Sequence, residues 1–165
     1  MIIILDSPAY PKSESLIIPA NKIGIMNNGT PAKIIKDGWK VISEEAKQVA
    51  NNNQPDVGEY FVTGPGRLVR RGLKKIYHAI IKPLPSDYTS ITIVRKALKN
   101  TLKGVIKDKM SSVSICGLGI EPGELDKRSV ARLTVEVATL FVDRIDIKIV
   151  DNNKEFIDEV KEMIL

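Results

Sequence analysis

The sequence predicts an α/β fold, with a mostly parallel sheet of about six strands and helices on both faces. Three observations predict it. From about residue 75 onward, strand-like apolar runs alternate with amphipathic helical stretches. Two strand-like runs, ending at Ala20 and Cys116, each lead through a glycine-bearing loop into a helix. The chain has 165 residues, 43% hydrophobic and 27% charged. That suffices for one domain with a proper core and is short for two, so residues 1–165 are taken as one domain.

Residues 1–5, MIIIL, form an apolar run expected to be a short buried strand, ended by Asp6-Ser7-Pro8. Leu16, Ile17 and Ile18 are a second β-rich run, with Pro19 marking its end and Asn21 where it gives out. Asn27, Asn28 and Gly29 tolerate left-handed backbone. Thr30 and Pro31 then have the chemistry of an N-cap and a first helical residue. The helix from Pro31 is expected to reach about Ala50, because Ile35, Trp39, Ile42, Ala46 and Val49 share one helical face. Trp39 is accordingly expected in the core. Gly38 allows a bend or a close contact in this helix. Asn51 to Pro55 breaks the helix, and Gly58 to Thr63 is a strand, the one candidate for antiparallel pairing.

Gly64-Pro65-Gly66 is a turn, and Arg67 to Lys75 is a basic segment leading into the strand Ile76 to Ile81. After Pro83 and Pro85, either Ser86 or Ser90 can cap a helix whose stripe is Ile91, Val94, Leu98, Leu102 and Val105. Ser112 to Cys116 is a strand. A glycine-rich loop, Gly117 to Gly123, precedes a helix with Val130, Leu133, Val137 and Leu140 on one face. Asp143 to Val150 is the last strand, and a helix over about 152–163 buries Phe156, Val160 and Met163.

Composition narrows the function. No apolar run has the length of a membrane span, and no basic region precedes the first apolar residues, so neither a membrane segment nor a signal peptide is expected. One cysteine and one histidine exclude an internal disulfide and argue against a transition-metal site. Cytoplasmic residence is the default, and neither metal nor cofactor is expected. The net charge of +5 fits an anionic partner or simply a lysine-rich surface. Aromatic residues are only 5% of the chain, which argues against a stacking platform for single-stranded nucleic acid.

Ligands of open α/β sheets bind beyond the carboxyl ends of strands. If the strands ending at Ala20 and Cys116 are neighbours, their loops face each other across one crevice. A helix N-terminus with spare N–H groups holds an anion, and two opposed backbone nests suit a diphosphate. The alternative is a pair of plain strand-to-helix connections.

At these loops the chain resembles the macro domain family of ADP-ribose-binding modules. The resemblance rests on Ile18-Pro19-Ala20-Asn21 with Asn27-Asn28-Gly29-Thr30, on Gly58-Glu59-Tyr60-Phe61-Val62-Thr63, on Ile76 to Pro83 around His78, and on Gly117-Leu118-Gly119-Ile120-Glu121-Pro122. It implies a three-layer α/β/α sandwich with a mixed six-stranded sheet and a cleft for ADP-ribose. By that resemblance Asp6 contacts the adenine amino group and Asn21 the distal ribose. Asn28, Gly29 and Thr30 then belong to the first phosphate loop. Gly117, Leu118, Gly119, Ile120 and Glu121 belong to the second. The chain departs from the family at Ile18, where an asparagine is usual, at Asn27 and Asn28 in place of glycines, and at Glu121 in place of an aromatic residue.

Single residues carry competing expectations. Asn21 either contacts ligand, in hydrolytic relatives with a catalytic role, or closes its own loop through backbone bonds. Asp6 either binds the base or caps a turn. His78 and Cys116 are expected in the core, the latter as a small buried side chain with no base beside it. Glu121 either acts as a base beside Asn21 or closes the site. Arg67, Arg70, Arg71, Lys74 and Lys75 form a solvated basic stretch or a phosphate-contacting face. Three functions remain open: a binder of ADP-ribose or a related nucleotide diphosphate; an enzyme of the same fold removing ADP-ribose from protein or processing a derivative; and a degenerate module binding RNA or protein through its basic face.

Overall fold

The computed structural model describes residues 1–9, 11–27 and 29–164. Its strands are β1 (Ile2–Leu5), β2 (Ser15–Asn21), β3 (Tyr60–Thr63), β4 (Lys75–Lys82), β5 (Ser112–Ile115) and β6 (Asp146–Asp151). Its α-helices are α1 (Gly29–Gly38), α2 (Val41–Asn53), α3 (Ile91–Lys107), α4 (Lys127–Thr139) and α5 (Lys154–Ile164), with a 3-10 turn over Gly66–Arg71. The strands form one sheet in the order β1-β6-β5-β2-β4-β3. All neighbours run parallel except β3, which pairs antiparallel with β4 through Phe61 opposite His78.

The chain steps from β2 toward β4 in one direction and from β4 through β5 to β6 in the other. Right-handed crossovers therefore put α1 and α2 on one face and α3 and α4 on the other, where α5 joins them by packing on α4. Helix α3 packs on α4 and α4 on α5, while α1 packs on α2 and β2. The result is the expected three-layer α/β/α sandwich with a mixed six-stranded sheet. Central β2 and β4 are deeply buried, with Leu16, Ile17 and Ile18 of β2 sealed from solvent. Of the two candidate caps, Ser90 serves α3: its hydroxyl accepts the Ile93 N–H at 3.2 Å.

Several expectations change. The strand at 1–5 is an edge strand rather than a buried one, with Ile2 57% exposed. Pro19 does not end β2; the strand continues to Asn21, with a register shift between Ala20 and Asn21. A proline gives the ladder no N–H, which fits a break in regular pairing just beyond it.

The predicted helix over 31–50 is two helices. Its N-terminus is Gly29, at φ +61°, so Thr30 lies inside the first turn instead of capping it. Helix α1 ends where Trp39 turns left-handed (φ 79°) and donates its N–H to the Ile35 carbonyl at 2.7 Å. That is the geometry of a residue just past a helix end, where glycine is usual. A tryptophan there carries about 1–2 kcal/mol of strain. Gly38 permits the elbow: a β-carbon on it would lie 2.5 Å from Ile42 Cδ1. Trp39 is consequently outside the core, 51% exposed, and Ile34 takes the buried position in α1. On α4, Leu140 likewise lies past the helix end and is exposed.

Candidate functional site

Because β2 and β5 are parallel neighbours, the loops that follow them leave the same edge of the sheet side by side. They touch at Gly29 and Glu121. A β-carbon on Gly29 would stand 2.4 Å from Glu121 Oε1 and 2.6 Å from its Cδ, so the carboxylate lies directly on the start of α1. Between the loops is a cavity of about 30 Å³, lined by Asn21, Asn27, Gly117, Gly119 and Glu121 and, from β4 and beyond, by Lys82 and Glu124. It has room for roughly two waters, far below the ~300 Å³ of an open ligand pocket.

Each loop is held by a buried polar side chain bonded to its backbone. In the first, the Asn21 side chain closes the turn from both ends: its Nδ2 donates to the Ile25 carbonyl at 2.8 Å and its Oδ1 accepts the Ile25 N–H at 3.1 Å. Asn21 is buried, so this loop-closing bond answers its polar atoms inside the protein. In the second, Gly119 stands at φ +81°, which only glycine adopts freely. The Gly117 N–H is taken by Asp151 Oδ2 at 2.9 Å. Among the described residues, the N–H groups of Leu118, Gly119, Ile120 and Glu121 find no acceptor. Of these residues Gly119 and Glu121 line the cavity.

Other expected site residues are spread further. Asn28 lies outside the described residues. Thr30 is buried in the first turn of α1. The side chains of Leu118 and Ile120 point into the core, so only their backbone can meet a ligand. Asp6 follows β1, two strands from β5; its Oδ1 accepts the Ser7 N–H at 2.7 Å and it does not line the cavity.

Charge in the cleft comes from residues the sequence did not single out. Lys82 Nζ pairs with Glu124 Oε1 at 3.1 Å, both largely buried, and Glu124 Oε2 is buried without a partner. Asp151 is buried at the end of β6, and its Oδ1 accepts the Asn153 N–H at 2.9 Å. Burial pushes its carboxyl pKa up, and the N–H groups of Gly117 and Asn153 and the charge of Lys33 work against that rise. All three sit at the carboxyl edge of the sheet, and strand-end position was the one available signal.

The core residues are unreactive. His78 Nε2 bonds Thr63 Oγ1 at 2.9 Å and its ring stacks on Phe61 at 4.5 Å, with burial holding its pKa down to about 3. Burial, with Asp151 nearby, pushes the Cys116 thiol well up, so no thiolate forms near neutral pH. The described residues hold no cluster of His, Cys, Asp and Glu fit for a metal ion, and no helix among them is long and apolar enough to cross a membrane.

The Macro domain family model matches residues 17–134, more than half of the chain. The chain belongs to the macro domain family. An uncharacterized protein of Aquifex aeolicus is 28% identical over 154 residues, covering 92% of this macro domain and 90% of the relative. Among solved structures, a point mutant of the Oceanobacillus iheyensis macrodomain with ADPR aligns at a TM-score of 0.85 with 16% identity, over 98% of this chain and 90% of that one. The Trypanosoma brucei macrodomain in complex with ADP-ribose aligns at 0.83 with 13% identity, over 99% and 68%. The macrodomain of Mycobacterium tuberculosis DarG aligns at 0.77 with 18% identity, over 91% and 97%. At these identities the structural likeness speaks for the macro domain fold.

Proposed function

We propose that this macro domain binds ADP-ribose or a related nucleotide diphosphate between the β2–α1 and β5–α4 loops. The observation that carries this reading is the meeting of Gly29 and Glu121 beside a run of unpaired amides at Leu118 to Glu121. The start of α1 and those amides supply N–H groups and a positive dipole end for the phosphates. Glu121 holds that place with its own carboxylate, so a ligand enters only as Glu121 swings out. Asp6, at the same edge of the sheet, receives the base. Two of the solved macrodomains of like fold carry ADPR or ADP-ribose, which supports this ligand class.

Binding is favoured over hydrolysis because both polar atoms of Asn21 are engaged with Ile25. Calorimetric titration with ADP-ribose tests the reading. Saturable one-to-one binding is expected, weakened in Asp6→Ala with the melting temperature unchanged. Absence of binding overturns it, and binding that ignores Asp6 removes the base contact.

A further inference from the structure

Trp39 occupies a backbone position made for glycine, with φ 79° just past α1, and half of its surface is open. Its ring contact is with Arg67, whose guanidinium carbon lies 3.4 Å from the ring centroid. An exposed cation–π contact is weak, so the fold gains little from bearing both a strained backbone and an exposed indole here. The elbow and the 3-10 turn also expose Val41, Val69, Lys40 and Arg70. The rest of the basic stretch is engaged elsewhere: Arg71 donates to the Ala9 carbonyl, Lys74 pairs with Glu14 and Lys75 with Asp108. Asp37 and Glu44 are the carboxylates nearest in sequence to the elbow.

We infer that Trp39, Arg67, Lys40 and Arg70 form a binding surface for single-stranded nucleic acid. A half-exposed indole with the Arg67 guanidinium over its ring and further cations in the same elbow matches an unpaired base, which can stack on the indole or on the guanidinium, flanked by phosphates. A duplex hides its base faces, and an acidic peptide offers charge without a flat partner. The surface lies at the far end of α1 from the cleft, roughly 15 Å along a ten-residue helix. It therefore stands apart from the nucleotide reading.

Trp39 is the chain's one tryptophan, so its fluorescence reports the contact directly. Labelled U12 and dT12 oligonucleotides, titrated into the full chain, are expected to quench it and to gain anisotropy. Three cations predict a slope of log K against log salt of about −2. Trp39→Gly relieves the backbone, so it should keep or raise the melting temperature while weakening binding at least about tenfold, the effect of losing one base stack. Arg67→Gln should flatten the salt slope, and excess ADP-ribose should not compete. U12 and dT12 distinguish RNA from DNA as the source. No quenching by either oligonucleotide, equal affinity in Trp39→Gly, or equal quenching by polyglutamate overturns the proposal.

Discussion

The Glu121 carboxylate rests on Gly29, 2.4 Å from where a β-carbon would stand, and so joins the two loops that define the cleft. Gly29 also needs its left-handed backbone at φ +61°. Gly29→Ala should therefore lose about 1–2 kcal/mol, chiefly from backbone strain, because the carboxylate is the free end of a flexible side chain. Urea denaturation in the wild-type and Glu121→Ala backgrounds checks this. Nearly equal losses are expected, and a loss confined to the background with Glu121 intact would assign the cost to the carboxylate instead.

His78 makes stability fall in acid. Its folded pKa is held down to about 3 by burial, against an ordinary value of 6.5. Between those values the unfolded chain binds a proton that the folded chain refuses, so stability rises with pH there. The contribution is complete above about pH 6.5 and is lost as pH falls toward 3, with a slope approaching ~1.4 kcal/mol per unit. His78→Gln should remove this slope when ΔG of unfolding is followed from pH 7 to pH 4. An unchanged slope would mean that His78 takes a proton inside the fold.

Asp151 ties the second loop to β6 through Gly117 and Asn153. Asp151→Ala leaves both N–H groups without their acceptor, at ~1–3 kcal/mol each where buried. A loss of roughly 2–4 kcal/mol is expected, with Asp151→Asn losing less because its carbonyl oxygen keeps one bond. Denaturant midpoints of the two variants decide between these values and a loss too small to measure.

The elbow below Trp39 depends on Gly66. A β-carbon there would lie 2.2 Å from the Gly38 carbonyl oxygen, at φ +55°, whereas Gly72, at φ +90°, has nothing within 4 Å. Gly66→Ala should combine strain with a backbone clash and lose more than ~3 kcal/mol. Gly72→Ala should lose only the ~1–2 kcal/mol of strain. Thermal melts of the pair separate the two effects, and equal melting temperatures would refute the clash.

Much of the fold was legible because local pattern and tertiary packing agree. The alternation after residue 75, a serine cap for α3 that the sequence left between Ser86 and Ser90, and the buried run Leu16 to Ile18 all have local causes. The elbow at Trp39 was hidden because the apolar period runs on across it from Ile35 to Ile42, and no pattern announces a left-handed tryptophan. The exposure of β1 was hidden because MIIIL looks alike in a central strand and at an edge. The convergence of the two loops was legible only on the condition, met in the structure, that β2 and β5 are neighbours, and Lys82, Glu124 and Asp151 are isolated charges that come to one edge only when the strands are laid together. The basic stretch looked continuous because Glu14 and Asp108, which neutralise part of it, are distant in sequence.

The most direct measurement is a calorimetric titration of ADP-ribose into the wild-type protein and into Glu121→Ala, side by side. With Glu121 holding the phosphate seat, its removal should tighten binding at least about tenfold, the equivalent of ~1.4 kcal/mol. Equal or weaker affinity in Glu121→Ala, or no heat of binding from either protein, would contradict the account.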